Sequence, residues 1–477
     1  MPHSVIIGLG QTGLSCARYL AKKGVDFAVA DTRFKPPMLE QLEDEFPELE
    51  IWLGPLDSSL LREAQELVVS PGVAISEPAI AEAMHFGVSV VGDVELFARE
   101  LADRKRSEGL SAPDVIAITG SNAKSTVTSL VGFMAEKAGI NVGVGGNIGL
   151  PVLELLEQDE KALYVLELSS FQLETTHTLN AKVATILNVS PDHMDRYPGI
   201  VEYGLAKQRI YVGCQHAVVN RADEATLPVH QRIPNGITFG LDCPDEGQLG
   251  LRDTDRGTVL ALGEEILLPV DQMTLTGRHG QENALSSLAL GLSAGLPMDA
   301  MLDALTCFES LPHRCQPVAE IDGVQYINDS KGTSVGATVA ALKGLGPGLA
   351  IDADGKAQGK IVLIAGGDGK GAVFDDLVQP VLDFARAVVL IGRDGPHIAD
   401  ILPDTIEMKK AGDMASAVKT AQTLARPGDL VLLSPACASF DMFAGYAARG
   451  HAFAEAVKAL MPSLPNVQGV QESTGVH

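Results

Sequence analysis

Eight short apolar runs in this chain each lead into a turn and then into a segment of helical period: VIIGLG at 5–10, FAVAD at 27–31, VIAITG at 115–120, LYVLE at 163–167, ATILNV at 184–189, IVLIAGG at 361–367, AVVLIG at 387–392 and LVLLSP at 430–435. Strands with no polar alternation are covered on both faces, and a helix between successive strands returns the chain to the same end of the sheet. The pattern therefore predicts an α/β protein built on parallel sheets. The 49 glycines suit many tight strand-to-helix turns.

With 477 residues, a prior of roughly 150 per domain predicts about three domains. The polar stretch ADRKRSEGLSAPD at 102–114 separates two βα series, which sets a first boundary near VVGDVELF at 90–97, with residues 94–113 read as a helix and loop. A second falls near LPHR at 311–314, after the small-residue helix ALSSLALGLSAG and before the strand VQYIND. The expected domains are 1–93, 94–310 and 311–462, followed by a polar, aperiodic and disordered tail at 463–477.

Composition narrows the function. Sixty-one acidic against 36 basic residues give a formal net charge of −25, a field that repels nucleic acid and anionic lipid. A phosphorylated ligand then needs a local basic or amide-rich pocket. The six cysteines are scattered with no Cys-x-x-Cys pair, so single buried thiols are expected rather than a zinc site or disulfides. The start MPHSVIIGLG lacks a basic leader, and no apolar stretch approaches the ~18 residues of a membrane span, so a cytoplasmic location is expected.

Two glycine-bearing loops carry chemistry. Gly8-Leu9-Gly10-Gln11-Thr12-Gly13 follows a strand and opens a helix, with Asp31 ending the next strand. That context fits a tight βα turn, an NAD site or a nucleotide-diphosphate site. The second loop is Gly120-Ser121-Asn122-Ala123-Lys124-Ser125-Thr126. Its backbone N–H groups can surround polyphosphate oxygens, Lys124 can place charge by the β- and γ-phosphates, and Ser125 or Thr126 can ligate Mg²⁺. It departs from the strict phosphate-loop pattern at Ile118 and Ala123, and alanine is strained if that position needs positive φ. Glu167 at a strand end and His193 in NVSPDHMDR can face the same rim and hold a hard cation.

GSNAKST, LELSSFQLE, ILNVSPDHMDRY, LPHR, NDSKGTS, GGDGKG and SPACAS occur here in one order. On these motifs, over residues 4 to about 460, the chain resembles the Mur ligases. The resemblance implies a Rossmann-like first domain, a central P-loop ATPase-like parallel sheet and a Rossmann-like third domain. It also implies ATP-dependent joining of D-glutamate to UDP-N-acetylmuramoyl-L-alanine through an acyl phosphate, by a monomer requiring neither membrane nor nucleic acid. Alternatives kept open are a sibling amide ligase adding L-alanine or acting on folylpolyglutamate, an NAD-binding redox protein, and a P-loop switch without ligation.

Carried over to this sequence, the resemblance puts Thr12, Asp31, Thr32, Arg33, Ser70, Gly72 and Asn147 at the UDP-sugar, with Arg33 as the local cation. Gly120 to Thr126 would hold the phosphates of ATP, and Asn283, His313, Arg314 and Asp329 its base and ribose. Two Mg²⁺ ions would be held by Ser125, Glu167, His193 and Lys207, the last as N6-carboxylysine. Lys124, His193 and Lys207 are the implied catalytic residues. Lys331, Thr333, Lys370, Ser439, Phe440 and Tyr446 would line the D-glutamate pocket. Gly280 and Ser334 stand where the family often has asparagine, and Tyr446 where it commonly has phenylalanine.

Overall fold

A computed structural model describes residues 2–108, 113–229, 236–309, 311–349 and 359–461. The expected tail at 463–477 lies outside them, as do residues 109–112 of the polar stretch. The chain divides into two compact units, Met1–Ser310 and Leu311–His477.

The first unit holds two sheets. The N-terminal one contains β1 (Ser4–Ile7), β2 (Phe27–Asp31), β3 (Ile51–Leu53), β4 (Glu66–Val69) and β5 (Ser89–Val91), all parallel in the order β3-β2-β1-β4-β5. Val5, Ile6 and Ile7 are fully buried because helices cover both faces. A side chain at Gly13 would collide with the carbonyl of Gly8, so this glycine sets how closely the first helix, Gln11–Lys22, sits on β1.

The segment 94–113, read as a helix and loop between two βα series, is helical over most of its length. A single helix runs Asp93–Glu108 and includes ADRKRSE. Its inner face supplies Val94, Phe97 and Leu101 to an apolar cluster that also contains Ile6 and Val29 of the N-terminal sheet and Ala117, Leu166 and Ile186 of the next one. Ion pairs join Arg99 to Glu66 and Arg104 to Glu100.

Among the described residues the central sheet has nine strands: β6 (Asp114–Thr119), β7 (Val142–Gly146), β8 (Leu163–Glu167), β9 (Val183–Ile186), β10 (His216–Asn220), β11 (Ile237–Phe239), β12 (Leu249–Thr254), β13 (Gly257–Leu262) and β14 (Glu265–Pro269). Strands β6 to β11 pair in parallel, whereas β12, β13 and β14 form an antiparallel meander. Ile118 is level with Glu167, Thr119 with Ile186 and Gly146 with Glu167. Four strand ends thus reach one rim, where an open parallel sheet places its ligands.

Gly280 lies inside the helix Gly277–Ala294, where a Cβ would stand 2.7 Å from the carbonyl carbon of Leu275. Backbone fills the place of a side chain, which accounts for glycine there.

The second unit is a six-stranded sheet of β15 (Gln316–Ile321), β16 (Val324–Asn328), β17 (Ile361–Gly366), β18 (Ala385–Ile391), β19 (Glu407–Lys410) and β20 (Leu430–Leu433), in the order β15-β16-β20-β17-β18-β19. Among the described residues only β15 is antiparallel. Asn328 and Ile364 are both level with Leu433, so the loops after β16, β17 and β20 share one rim. Of the six cysteines, only Cys16 and Cys437 are buried; Cys214 is half-buried, Cys243, Cys307 and Cys315 are exposed, and all are free thiols. The expectation of buried thiols therefore fails for most of them, because those positions fall at helix ends and loops.

Candidate active site

The loop after β6 is held from its neighbour. Asn188 accepts the N–H of Ser121 at its carbonyl (2.9 Å) and the N–H of Asn122 at Oδ1 (2.8 Å). The Ser121 hydroxyl donates to the Ser190 carbonyl and accepts the Ser190 N–H, both at 2.9 Å. Ala123, directly before the helix Lys124–Lys137, has φ 66° and ψ −11°. The strain anticipated for alanine is real: the left-handed region costs an L-residue roughly 1–2 kcal/mol. Ala123→Gly relieves that strain but adds disorder to the unfolded chain, so stability should rise by no more than ~1 kcal/mol. Melting and phosphate-release assays check this; a large loss of activity would mean that the methyl group has a task of its own.

Lys124 folds over its own loop, Nζ donating to the carbonyls of Gly120 (2.8 Å) and Ser121 (3.0 Å). Lys207, on the helix Ile200–Gln208, reaches the same Gly120 carbonyl at 2.9 Å. Its side chain is 1% exposed, and Nζ stands 4.3 Å from the centre of the Tyr203 ring. Burial, and then the Lys124 charge, push its pKa well below the usual lysine value, with Asp192 and Glu167 opposing. Such a lysine has a larger neutral-amine fraction than a solvated one.

Glu167, also 1% exposed, ends β8. Its Oε1 accepts the Asn147 amide at 2.7 Å, whereas Oε2 is buried with no hydrogen-bond partner. A carboxylate oxygen stripped of water and unpaired is costly, and a cation is the natural complement. Among the described residues no group of three or more His, Cys, Asp and Glu could hold a metal. Other oxygen donors must complete a coordination sphere here, which suits Mg²⁺ with phosphates and waters. Ser125 is buried at the start of the adjoining helix.

His193 has φ 57°, and its ring lies edge-on to Phe171 at 4.8 Å. Its carbonyl accepts the Arg196 N–H at 2.9 Å. The Arg196 guanidinium covers Phe171 (4.4 Å) and donates to Glu174 (3.2 Å) and to the Val73 carbonyl (3.1 Å). Asn188, Asp192 and Arg196 were missed as site residues, although NVSPDHMDR contained them all.

In the N-terminal sheet, Asp31 is buried, accepting the Leu9 N–H at 2.7 Å and both the N–H and Nε of Arg33 at 2.8 Å. The Arg33 hydrogen bonds and the Leu9 N–H hold the carboxylate pKa low, against burial, the largest single influence, which raises it. Arg33, expected as the local cation, is thus ion-paired with Asp31. Ser70 donates to the Gly8 carbonyl (2.8 Å), Gly72 and Thr32 are exposed, and Thr12 is half-buried. Asn147 is exposed and braces Glu167.

In the second unit, Asp329 is buried, held by the Ser434 hydroxyl (2.8 Å) and the Cys315 N–H (3.2 Å), and burial raises its pKa to about 6. His313 is buried against Asn328 (3.0 Å) with its pKa lowered by burial, and Arg314 is half-buried. Lys331 places Nζ 3.9 Å from the Tyr446 ring centre, a cation–π contact. Ser334 caps the helix Val335–Leu345, its hydroxyl accepting the Ala337 N–H. Lys370 has φ 52°, Thr333 is half-buried, Ser439 is buried and Phe440 is exposed. Asn283, in the first unit, is half-buried on the helix Gly277–Ala294.

A phosphate loop, an orphaned carboxylate and a depressed lysine on one rim define an ATP-using enzyme site. Family models match along the chain: a MurD-like Mur ligase N-terminal domain at residues 2–92, a Mur ligase middle domain at 118–291 and a Mur ligase glutamate ligase domain at 313–437. The chain belongs to the Mur ligase family.

Within that family it is similar to proteins called UDP-N-acetylmuramoylalanine–D-glutamate ligase. The one from Pseudomonas fluorescens Pf0-1 is 51% identical over 456 residues, covering 96% of this chain and 98% of its own. That of Marinobacter nauticus is 50% identical over 458 residues, with the same coverage. Among solved structures, the UDP-N-acetylmuramate–alanine ligase of Thermotoga maritima superposes with a TM-score of 0.59 at 18% identity, covering 96% of this chain and all of that one. The MurF ligase of the same organism, in complex with ADP, gives 0.56 at 17% identity, covering 85% and 97%. These distant structures share the fold.

Proposed function

We propose that this protein joins D-glutamate to UDP-N-acetylmuramoyl-L-alanine, using ATP and releasing ADP and phosphate. The observation that carries the reading is identity near 51% across 96% of the chain to ligases of that name, together with a rim that has the parts for acyl-phosphate chemistry.

A carboxylate is a poor electrophile, so its oxygen first attacks the γ-phosphorus of ATP. The O–P bond forms as the bond to the β-phosphate oxygen breaks, and ADP leaves. Lys124 and the loop N–H groups stabilise charge on the transferring phosphoryl group, mainly by position and electrostatics. For this, Lys124 exchanges the carbonyls of Gly120 and Ser121 for phosphate oxygens. The neutral amine of D-glutamate then attacks the acyl carbon, phosphate departs with the electron pair, and the nitrogen gives up a proton.

Glu167, His193, Ser125 and Lys207 would hold Mg²⁺, which when bound neutralises charge on the β- and γ-phosphates. Carbon dioxide adds only to an uncharged amine, and burial enlarges the uncharged fraction of Lys207; the carbamate product would be an anionic oxygen donor facing the same rim. The loops bearing Lys331, Lys370 and Ser439 receive the two carboxylates of D-glutamate, for which lysines and hydroxyls are suitable partners. The UDP-sugar lies over Gly8–Gly13, Ser70 and Gly72. An NAD reading fits less well, because the Asp31 carboxylate that would meet a ribose is already filled by Leu9 and Arg33.

Among the described residues no helix is long and apolar enough to cross a membrane. We place the protein in the cytoplasm as a monomer, where its nucleotide substrates are found. The deciding experiment is an amino-acid panel with UDP-N-acetylmuramoyl-L-alanine and ATP, reading phosphate release and amide product. D-Glutamate should be preferred clearly; preference for any other amino acid refutes this reading and favours a sibling ligase.

A further inference from the structure

Arg449 lies on the helix Tyr446–Lys458 and is 1% exposed. A guanidinium keeps its charge at neutral pH, so burial requires its N–H groups to be filled. Nε donates to the Ser330 hydroxyl at 2.9 Å and Nη2 to the Ser330 carbonyl at 2.7 Å. Nη1 donates to the carbonyls of Cys437 (3.0 Å) and Ala438 (3.2 Å). None of these acceptors is a carboxylate. Burial lowers the pKa to about 10, which leaves the group charged at physiological pH.

The acceptors fall at telling places. Ser330 stands between Asp329 and Lys331, and Cys437 and Ala438 directly precede Ser439. The Ala438 carbonyl also takes the N–H of Asp368 at 2.9 Å, in the loop that carries Lys370. The Ser330 hydroxyl itself donates to the Tyr446 carbonyl at 2.8 Å. One cation therefore ties together the loops after β16 and β20, and through Ala438 the loop after β17. A strut between loops has no need of charge, and the carboxylates whose charge Arg449 feels, Asp441 and Asp329, make no hydrogen bond to it, so the cation is held in place by neutral acceptors alone. A pocket that receives two carboxylates does need positive potential beneath it.

We propose that Arg449 is the positioning residue of the amino-acid pocket: from behind, it fixes the spacing of the loops that carry Lys331, Lys370 and Ser439, and thereby the fit of a dicarboxylate amino acid. It does not touch the substrate. The proposal rests on the assignment of that pocket made above.

Steady-state kinetics with each of the three substrates varied in turn, on Arg449→Met, Arg449→Lys and Ser330→Ala, test it. Arg449→Met should raise the KM for D-glutamate about tenfold or more, with those for ATP and the UDP-sugar within about twofold. Arg449→Lys should recover part of the loss, and Ser330→Ala, which removes one acceptor and the link to Tyr446, should raise the same KM about threefold. A uniform rise in all three KM values, or a fall in kcat alone, overturns the proposal. If Arg449→Met does not fold, Ser330→Ala decides: an unchanged KM for D-glutamate overturns it. The wild-type panel separates the two readings. If another amino acid is preferred, the substrate assignment falls, and the effect of Arg449 is read on the KM of that amino acid.

Discussion

Lys124→Ala should lower substrate-dependent phosphate release by about 10³-fold, the scale of removing a preorganised charge from a transferring group. The reason is local. Lys124 is the first residue of its helix, and its ammonium already rests on the Gly120 and Ser121 carbonyls, beside the space that loop N–H groups can line. Alanine keeps the helix, because the loop is pinned independently by Asn188 and Ser190. UDP-sugar affinity, measured by titration calorimetry, should therefore be nearly unchanged. Turnover within tenfold of the native rate would take the loop out of the mechanism.

Lys207→Ala should cost about 10²-fold or more in turnover, and formate or acetate should restore part of it. Alanine leaves space beside Gly120 and Tyr203 into which a small carboxylate fits, supplying the oxygen that a carbamate would have supplied. Removing a buried lysine also removes its desolvation penalty, so the melting temperature should not fall in proportion to the activity. Full native activity dismisses the carbamate. Loss without any response to added carboxylate limits Lys207 to its hydrogen bond with Gly120.

The parallel strands were legible because burial on both faces writes them as unbroken apolar runs: FAVAD and LYVLE match β2 and β8 residue for residue. The meander β12–β14 was not, since LGLRDT and GTVLAL lie toward a sheet edge and mix polar with apolar residues. Ala123 could be singled out because a phosphate loop makes a backbone demand that does not depend on the rest of the fold. The pairing of Arg33 with Asp31 could not be read, because contact between residues two apart depends on a turn conformation. Arg449 was invisible for a different reason: in AARGHAFAEA it looks like any solvated helix arginine, and only the convergence of three distant loops reveals its task.

The contact of Arg196 with the Val73 carbonyl has a consequence for how ligands sense one another. Arg196 belongs to the turn that begins at His193, while Val73 belongs to the segment after β4, so a ligand that stiffens either side restrains the other through one guanidinium. Linkage is reciprocal: whatever free energy a ligand held beside Val73 contributes to ordering the His193 turn, a ligand bound at that turn returns to the first. Order of addition can then be strict in kinetics while the two affinities remain tied by a single number.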